Sequence, residues 1–175
     1  MFMIKLTDLL KEITESKQIG NLYHFAPLRH MSNILDNGLQ FQKDNINDHL
    51  KEYSISTTRS SDFSGNDIYN FTRRASRIVL DGNKISQKYK IAPVNPDNIW
   101  NLKGIKGDRY TKSKGHNLFE ERIYSDTPGY LSTDYILRID INDKTEDWKD
   151  NKHLYQEILD KANMKKIPIN MVKSY

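Results

Sequence analysis

The sequence predicts a single α+β domain, and three observations carry that reading. Short apolar-alternating runs bounded by turn residues recur along the chain. Segments at helical spacing interrupt them at irregular intervals. No regular strand-helix alternation of the kind that builds a parallel sheet is present. The chain has 175 residues, enough to bury a core without metal or disulfide help, and its two tryptophans, ten tyrosines and six phenylalanines argue for a folded protein despite a charged content of 29%.

Leu6, Leu9, Leu10 and Ile13 follow helical spacing after a cap at Thr7, and Gly20 ends that helix. The next stretch, Leu22 to Leu39, is the most legible. Leu22-Tyr23-His24-Phe25 alternates as a half-buried strand. Pro27 suits a first helical turn, and Leu28, Met31, Ile34 and Leu35 form one apolar stripe. Asn37-Gly38 closes the helix, and Leu39-Gln40-Phe41 starts a second strand. His24 is thereby placed on a strand end beside a helix N-terminus.

Tyr53 to Thr57 reads as a strand running into a hydroxyl-rich turn with Arg59, and Arg77 to Leu80 as a strongly buried strand followed by a turn at Asp81-Gly82-Asn83. A short helix over 84–89 and an edge-type strand over 90–94 follow, the latter because Pro93 cannot donate to a ladder. Asn117 to Tyr124 is a strand on which Phe119, Glu121 and Ile123 share one face and Glu120 and Arg122 the other. A carboxylate between two apolar same-face neighbours is a costly placement that asks for a reason. Tyr135 to Ile141 is a strand, Trp148 to Ala162 one helix, and Ile167 to Val172 a terminal edge strand.

Several classes are excluded. The absence of cysteine removes disulfides, thiolate zinc sites and a Cys nucleophile. There is no P-loop, no dinucleotide glycine fingerprint, and no metal spacing among His24, His30, His49, His116 and His153. The amphipathic, charge-broken start offers neither a signal peptide nor a membrane span, so no membrane partner and a cytoplasmic protein are expected. The chain's net charge of +4 is concentrated in segment 103–115, where Lys103, Lys106, Arg109, Lys112 and Lys114 face only Asp108. With Tyr110 as a stacking face, this segment is a candidate DNA or RNA contact, the plain alternative being a solvated basic loop.

Tyr23-His24-Phe25 followed by a turn, a helix and Asn37-Gly38-Leu39 resembles the first NAD-binding motif of the ADP-ribosyltransferase superfamily, in particular DarT-like nucleic-acid-modifying toxins and related phage proteins. The strand ending in Ser56-Thr57, with Arg59 just beyond it, is similar to the second motif, and Glu121-Arg122-Ile123-Tyr124 to the third. The three stretches occur in the family's order.

The resemblance implies two small packed, mostly antiparallel sheets with flanking helices and an NAD cleft between them. It implies that Tyr23 and His24 bind NAD, that Ser56 and Thr57 are ribose partners or structural buttresses, and that Arg59 contacts a phosphate or serves catalysis. Glu121 would be the catalytic carboxylate, with Glu120 as the alternative, and no metal would be needed. The implied function is transfer of ADP-ribose from NAD to a macromolecule, with nucleic acid presented through 103–115, in a bacterial or phage-infected cell. Two rivals stand beside it: a catalytically inactive protein of the same fold that binds nucleic acid or serves a phage structure, and a 2'-phosphotransferase, which wants more basic residues than Tyr23-His24-Phe25 offers.

Overall fold

Strand pairing links every strand among the described residues. In the computed structural model, which describes residues 20–43, 53–58, 74–93 and 120–172, nine strands join one hydrogen-bonded network. They are β1 (Asn21–Ala26), β2 (Leu39–Lys43), β3 (Tyr53–Thr58), β4 (Ser76–Asp81), β5 (Lys90–Pro93), β6 (Glu120–Ser125), β7 (Gly129–Leu131), β8 (Ile136–Ile141) and β9 (Ile169–Met171). The main sheet has the order β5-β6-β3-β1-β4-β8-β9, and β2 branches from β3 to pair with β7. All pairs are antiparallel except β8 with β9. The expected α+β class is observed. Where two packed sheets were expected, ladders connect all nine strands, because β2 pairs with β3 through Gln42 and Lys43 and with β7 through Leu39 to Phe41.

The helices are α1 (Met31–Asn37), preceded by a 3-10 turn at Leu28–His30, then α2 (Gly82–Ser86), α3 (Glu146–Asn151) and α4 (Tyr155–Met164). Residues of one sheet face, Leu22, Ala26, Ile55, Ile78, Leu80, Ile123, Ile139 and Ile141, form the core with Leu28, Met31, Ile34 and Leu35 from the first helical segment and Ile158 and Ala162 from α4. This is the predicted apolar stripe. Lys161 on α4 bonds Ser32 and Asp36 on α1, and Ser32 donates to Glu157, so a polar network joins the two helices where they reach solvent.

Two local readings are corrected. Asp81-Gly82-Asn83 is no turn: the Asp81 carboxylate accepts from Lys84 N at 3.0 Å and caps α2, which therefore starts at Gly82 rather than at 84. The single helix expected from Trp148 to Ala162 is broken by a 3-10 segment at Lys152–Leu154. Asn151 carries the break, with φ −119° and its amide donating back to the Asp147 carbonyl at 2.9 Å, a local bond that competes with helix propagation. Trp148 and Tyr155 then meet edge-on across it, with ring centroids 5.3 Å apart. The expected helix near the start, Arg59 and segment 103–115 lie outside the described residues.

The β2–β7 pairing depends on Gly38. Its φ is +94°, and a Cβ there would sit 2.2 Å from the Leu131 carbonyl oxygen, whereas a Cβ at Gly129 (φ +150°) would meet open space. Gly38→Ala should therefore destabilise the fold by several kcal/mol, and Gly129→Ala by only about 1–2 kcal/mol of backbone strain. Urea denaturation of the two variants checks this; equal losses would mean that the approach to Leu131 imposes no cost.

Candidate functional site

The sheet contains a parting. β1 pairs with β4 along all six of its residues, and β3 with β6 likewise, but β1 and β3 share a single registered pair, Tyr23 with Thr58. Beyond that pair they separate, and backbone groups that would have formed a ladder need other partners. The His24 ring supplies one. Its Nδ1 lies 2.8 Å from the Ser56 carbonyl oxygen, and since a carbonyl only accepts, Nδ1 carries the proton and donates. In the neutral ring the lone pair then falls on Nε2.

Segments from both sides of the parting, Tyr23 to Pro27 and Ser54 to Thr58, line a cavity of about 660 Å³. The remaining described wall comes from Arg29, His30, Asn33 and Ile34 at the first helical segment, from Gly38, Leu39, Gln40 and Gln42 around β2, and from Arg74. The volume is that of a small-molecule site. Arg74 Nη1 donates to the Phe25 carbonyl oxygen at 2.6 Å, which holds the guanidinium at the cavity. Arg29 and Arg74 make the lining cationic, and no carboxylate is among the described residues that line it. This electrostatic character suits an anionic ligand.

Enclosure pulls the His24 imidazole below its usual pKa of 6.5; the bond to Ser56 opposes that effect, and the Arg74 charge adds to it. His24 is thus neutral at physiological pH, an acceptor at Nε2 rather than a cation.

Thr57 also lines the cavity, but its Oγ1 donates to the Glu121 carbonyl at 2.8 Å, so its proton is committed to the β3–β6 ladder. Ser56 contributes its carbonyl to His24. Tyr23 lies on the opposite sheet face from His24, with the Arg77 guanidinium 5.2 Å from its ring centroid. Arg77 in turn is buried against Asp140, with Nη2 to Oδ2 at 2.7 Å.

Glu121 is 6% exposed. It stands opposite Thr57 on β6, and β3, whose Ser56 carbonyl accepts from His24, is the one strand between His24 and Glu121. Glu121 does not itself line the cavity; it lies one strand behind the wall. The buried carboxylate predicted from the Phe119, Glu121, Ile123 alternation is found, on the face that carries the core.

Arg29, His30, Asn33, Gln40, Gln42 and Arg74 were not singled out as cavity residues from the sequence. For Gln40 and Gln42 the alternation of β2 was available, since Leu39 and Phe41 face inward and the glutamines therefore face out. For Arg74 no local signal exists, because its place follows from a bond to Phe25, 49 residues away.

Among the described residues no group of three or more His, Asp or Glu side chains could hold a metal ion, and no helix is long and apolar enough to cross a membrane. No protein-family model, no curated protein and no solved structure matches the chain.

The depressed His24 pKa sets the sign of a pH effect. Below pH 6.5 the unfolded chain protonates this histidine while the folded chain resists, so stability that is present above 6.5 is lost as pH falls toward the lowered value. Urea midpoints should fall between pH 7 and pH 5, with a shallower fall in His24→Gln. An unchanged slope in that variant would remove His24 as the source.

Proposed function

We propose that the protein is an NAD-dependent ADP-ribosyltransferase whose nucleotide site is the cavity at the β1–β3 parting. The observation that carries this reading is His24, held neutral in the parting at a cationic cavity and separated from the buried Glu121 by the one strand β3. NAD combines an anionic pyrophosphate with ribose hydroxyls. Arg29 and Arg74 suit the pyrophosphate, and the His24 Nε2 lone pair suits a ribose hydroxyl proton. Cleavage of the bond between nicotinamide and ribose develops positive charge on the sugar, as in glycoside hydrolysis. A carboxylate stabilises that charge, and Glu121 is the residue we assign to it. The nicotinamide leaves with the bonding electron pair, and the acceptor nucleophile attacks the sugar carbon and gives up its proton. We assign the acceptor to a macromolecule, with nucleic acid presented by the basic segment 103–115, and Arg59 to a phosphate or the acceptor.

A second reading has its own support. Glu121 lies one strand behind the cavity wall, an arrangement that suits a nucleotide-binding protein without turnover. Fold alone does not decide between the two.

Nicotinamide release from NAD, with and without DNA or RNA, tests the proposal. Glu121→Gln is nearly isosteric and should retain NAD binding while losing about a hundredfold or more in turnover. His24→Ala should raise the NAD concentration required. NAD binding without nicotinamide release under any condition would leave the non-catalytic reading standing, and wild-type turnover in Glu121→Gln would remove Glu121 from catalysis.

Segment 103–115 has its own test. Affinity for nucleic acid should fall with salt, and replacing Lys112 and Lys114 by Ala should flatten that dependence by up to about two in log-log slope. An unaltered slope, or no binding at low salt, would assign the acceptor to a protein or a small molecule.

A further inference from the structure

Asp147 sits in the first turn of α3, away from the cavity lining, yet its side chain reaches two strand ends that belong to the site. One oxygen, Oδ2, accepts from Leu28 N at 2.9 Å and from Ala75 N at 2.7 Å. Leu28 follows Pro27 at the exit of β1, and Ala75 follows Arg74; Pro27 and Arg74 both line the cavity. The second oxygen, Oδ1, is held by Asn151 Nδ2 at 3.0 Å, so the carboxylate is oriented from its own helix. Around this point Arg74 Nη1 bonds the Phe25 carbonyl, Ser76 Oγ bonds the Ala26 carbonyl at 2.6 Å, and Asn142 N bonds the Ala75 carbonyl at 2.8 Å. All three are bonds between polypeptide segments that one carboxylate brings together.

We propose that Asp147 is a positioning residue: by gathering the Leu28 and Ala75 amides on one oxygen, it fixes the Arg74 guanidinium and the β1 exit at the wall of the cavity. The inference rests on the reading of this cavity as the nucleotide site, but its effect on Arg74 does not. Asp147 touches no ligand; it acts through Arg74. Charge-assisted bonds from a carboxylate to backbone amides are among the stronger in proteins, and no other group is bonded to either amide among the described residues.

The His24 imidazole reports the position of Arg74 without any ligand. The described titratable or charged groups that line the cavity with it are Tyr23, Arg29, His30 and Arg74, and beside the enclosure of the ring it is the Arg74 charge that helps hold its titration down. Releasing Arg74 should therefore raise the His24 midpoint. Removing the negative charge of Asp147 by direct electrostatics would lower it. The two causes predict opposite signs.

The experiment is an NMR titration of the ring protons of His24 in the full chain, assigned against His24→Gln and His30→Gln. Asp147→Ala should raise the midpoint, Arg74→Ala should raise it, and the double variant should raise it no further than Arg74→Ala alone, since the two act in series. Asp147→Asn, whose amide oxygen can accept from the same two N–H groups, should stay close to wild type. A midpoint in Asp147→Ala that is unchanged or lowered, additive shifts in the double variant, or an Asn variant shifted as far as the Ala variant would each overturn the proposal. If Asp147→Ala does not fold, Asn151→Ala loosens the same carboxylate from behind; a smaller upward shift supports the assignment and no shift overturns it. In parallel, the dissociation constant for NAD should rise roughly tenfold in Asp147→Ala, the loss of one charge-assisted bond. Wild-type protein that binds no NAD would defeat the functional reading, while the histidine titration still decides the role of Asp147.

Discussion

Everything at the candidate site follows from one constraint: two neighbouring strands in the middle of a sheet stop pairing, and their backbone groups must still be satisfied. An unpaired amide or carbonyl in such a place costs about as much as a lost hydrogen bond. Side chains take over where the ladder ends. At the parting His24 answers the Ser56 carbonyl and Arg74 the Phe25 carbonyl, while at the exit of β1 Ser76 answers the Ala26 carbonyl and Asp147 the Leu28 amide. The two residues that answer backbone carbonyls at the parting, His24 and Arg74, are polar and line the cavity. The structural solution and the chemical equipment of the site are the same atoms.

The electrostatic consequence is a division of labour between two kinds of positive group. Arg29 is exposed, and its attraction for an anion is screened by salt over a Debye length of about 8–10 Å at physiological ionic strength. Arg74 is half-buried and pinned to a carbonyl, so its field inside the cavity is less screened and its orientation is set in advance. The enclosure of the ring, with that field adding to it, keeps His24 neutral. A third cation in the cavity is avoided, and a hydrogen-bond acceptor is gained in its place.

How legible this was depends on the range over which each feature is encoded. Strand β1, the helical segment after Pro27 and the stop at Gly38 are written in contiguous residues, and they were read to within a residue or two. The burial of Glu121 was legible from alternation alone. Strand β7 was not, since Gly129-Tyr130-Leu131 is three residues long and owes its pairing to the close approach of Gly38 to Leu131. Nor was the break at Asn151, where local side-chain bonding overrides a helical period that continues on both sides. Asp147 and Arg74 are further still from sequence reading. Asp147 looks like any acidic residue in the first turn of a helix, a placement that the helix dipole already rationalises, and nothing nearby signals that its carboxylate bonds residues 119 and 72 positions away.

Glu121 shows how the two levels combine. Its carboxylate sits on the sheet face that elsewhere carries Ile55, Ile78, Ile123 and Ile139, where an apolar residue would fill the same place without the cost of removing a charge from water. An acid at this position carries a desolvation cost that its polar contacts must offset. On the proposed reading, chemistry gives the acid its use. The cations Arg29 and Arg74 line the cavity with Thr57, and the carboxylate is paired with Thr57 on the next strand. On that reading, a ligand reaching past the Thr57 wall would meet positive charge at its anionic end and negative charge where its sugar becomes cationic. Such an arrangement stabilises charge only as it develops, so an acid that carries a desolvation cost in the resting fold would act in the transition state, where differential stabilisation counts.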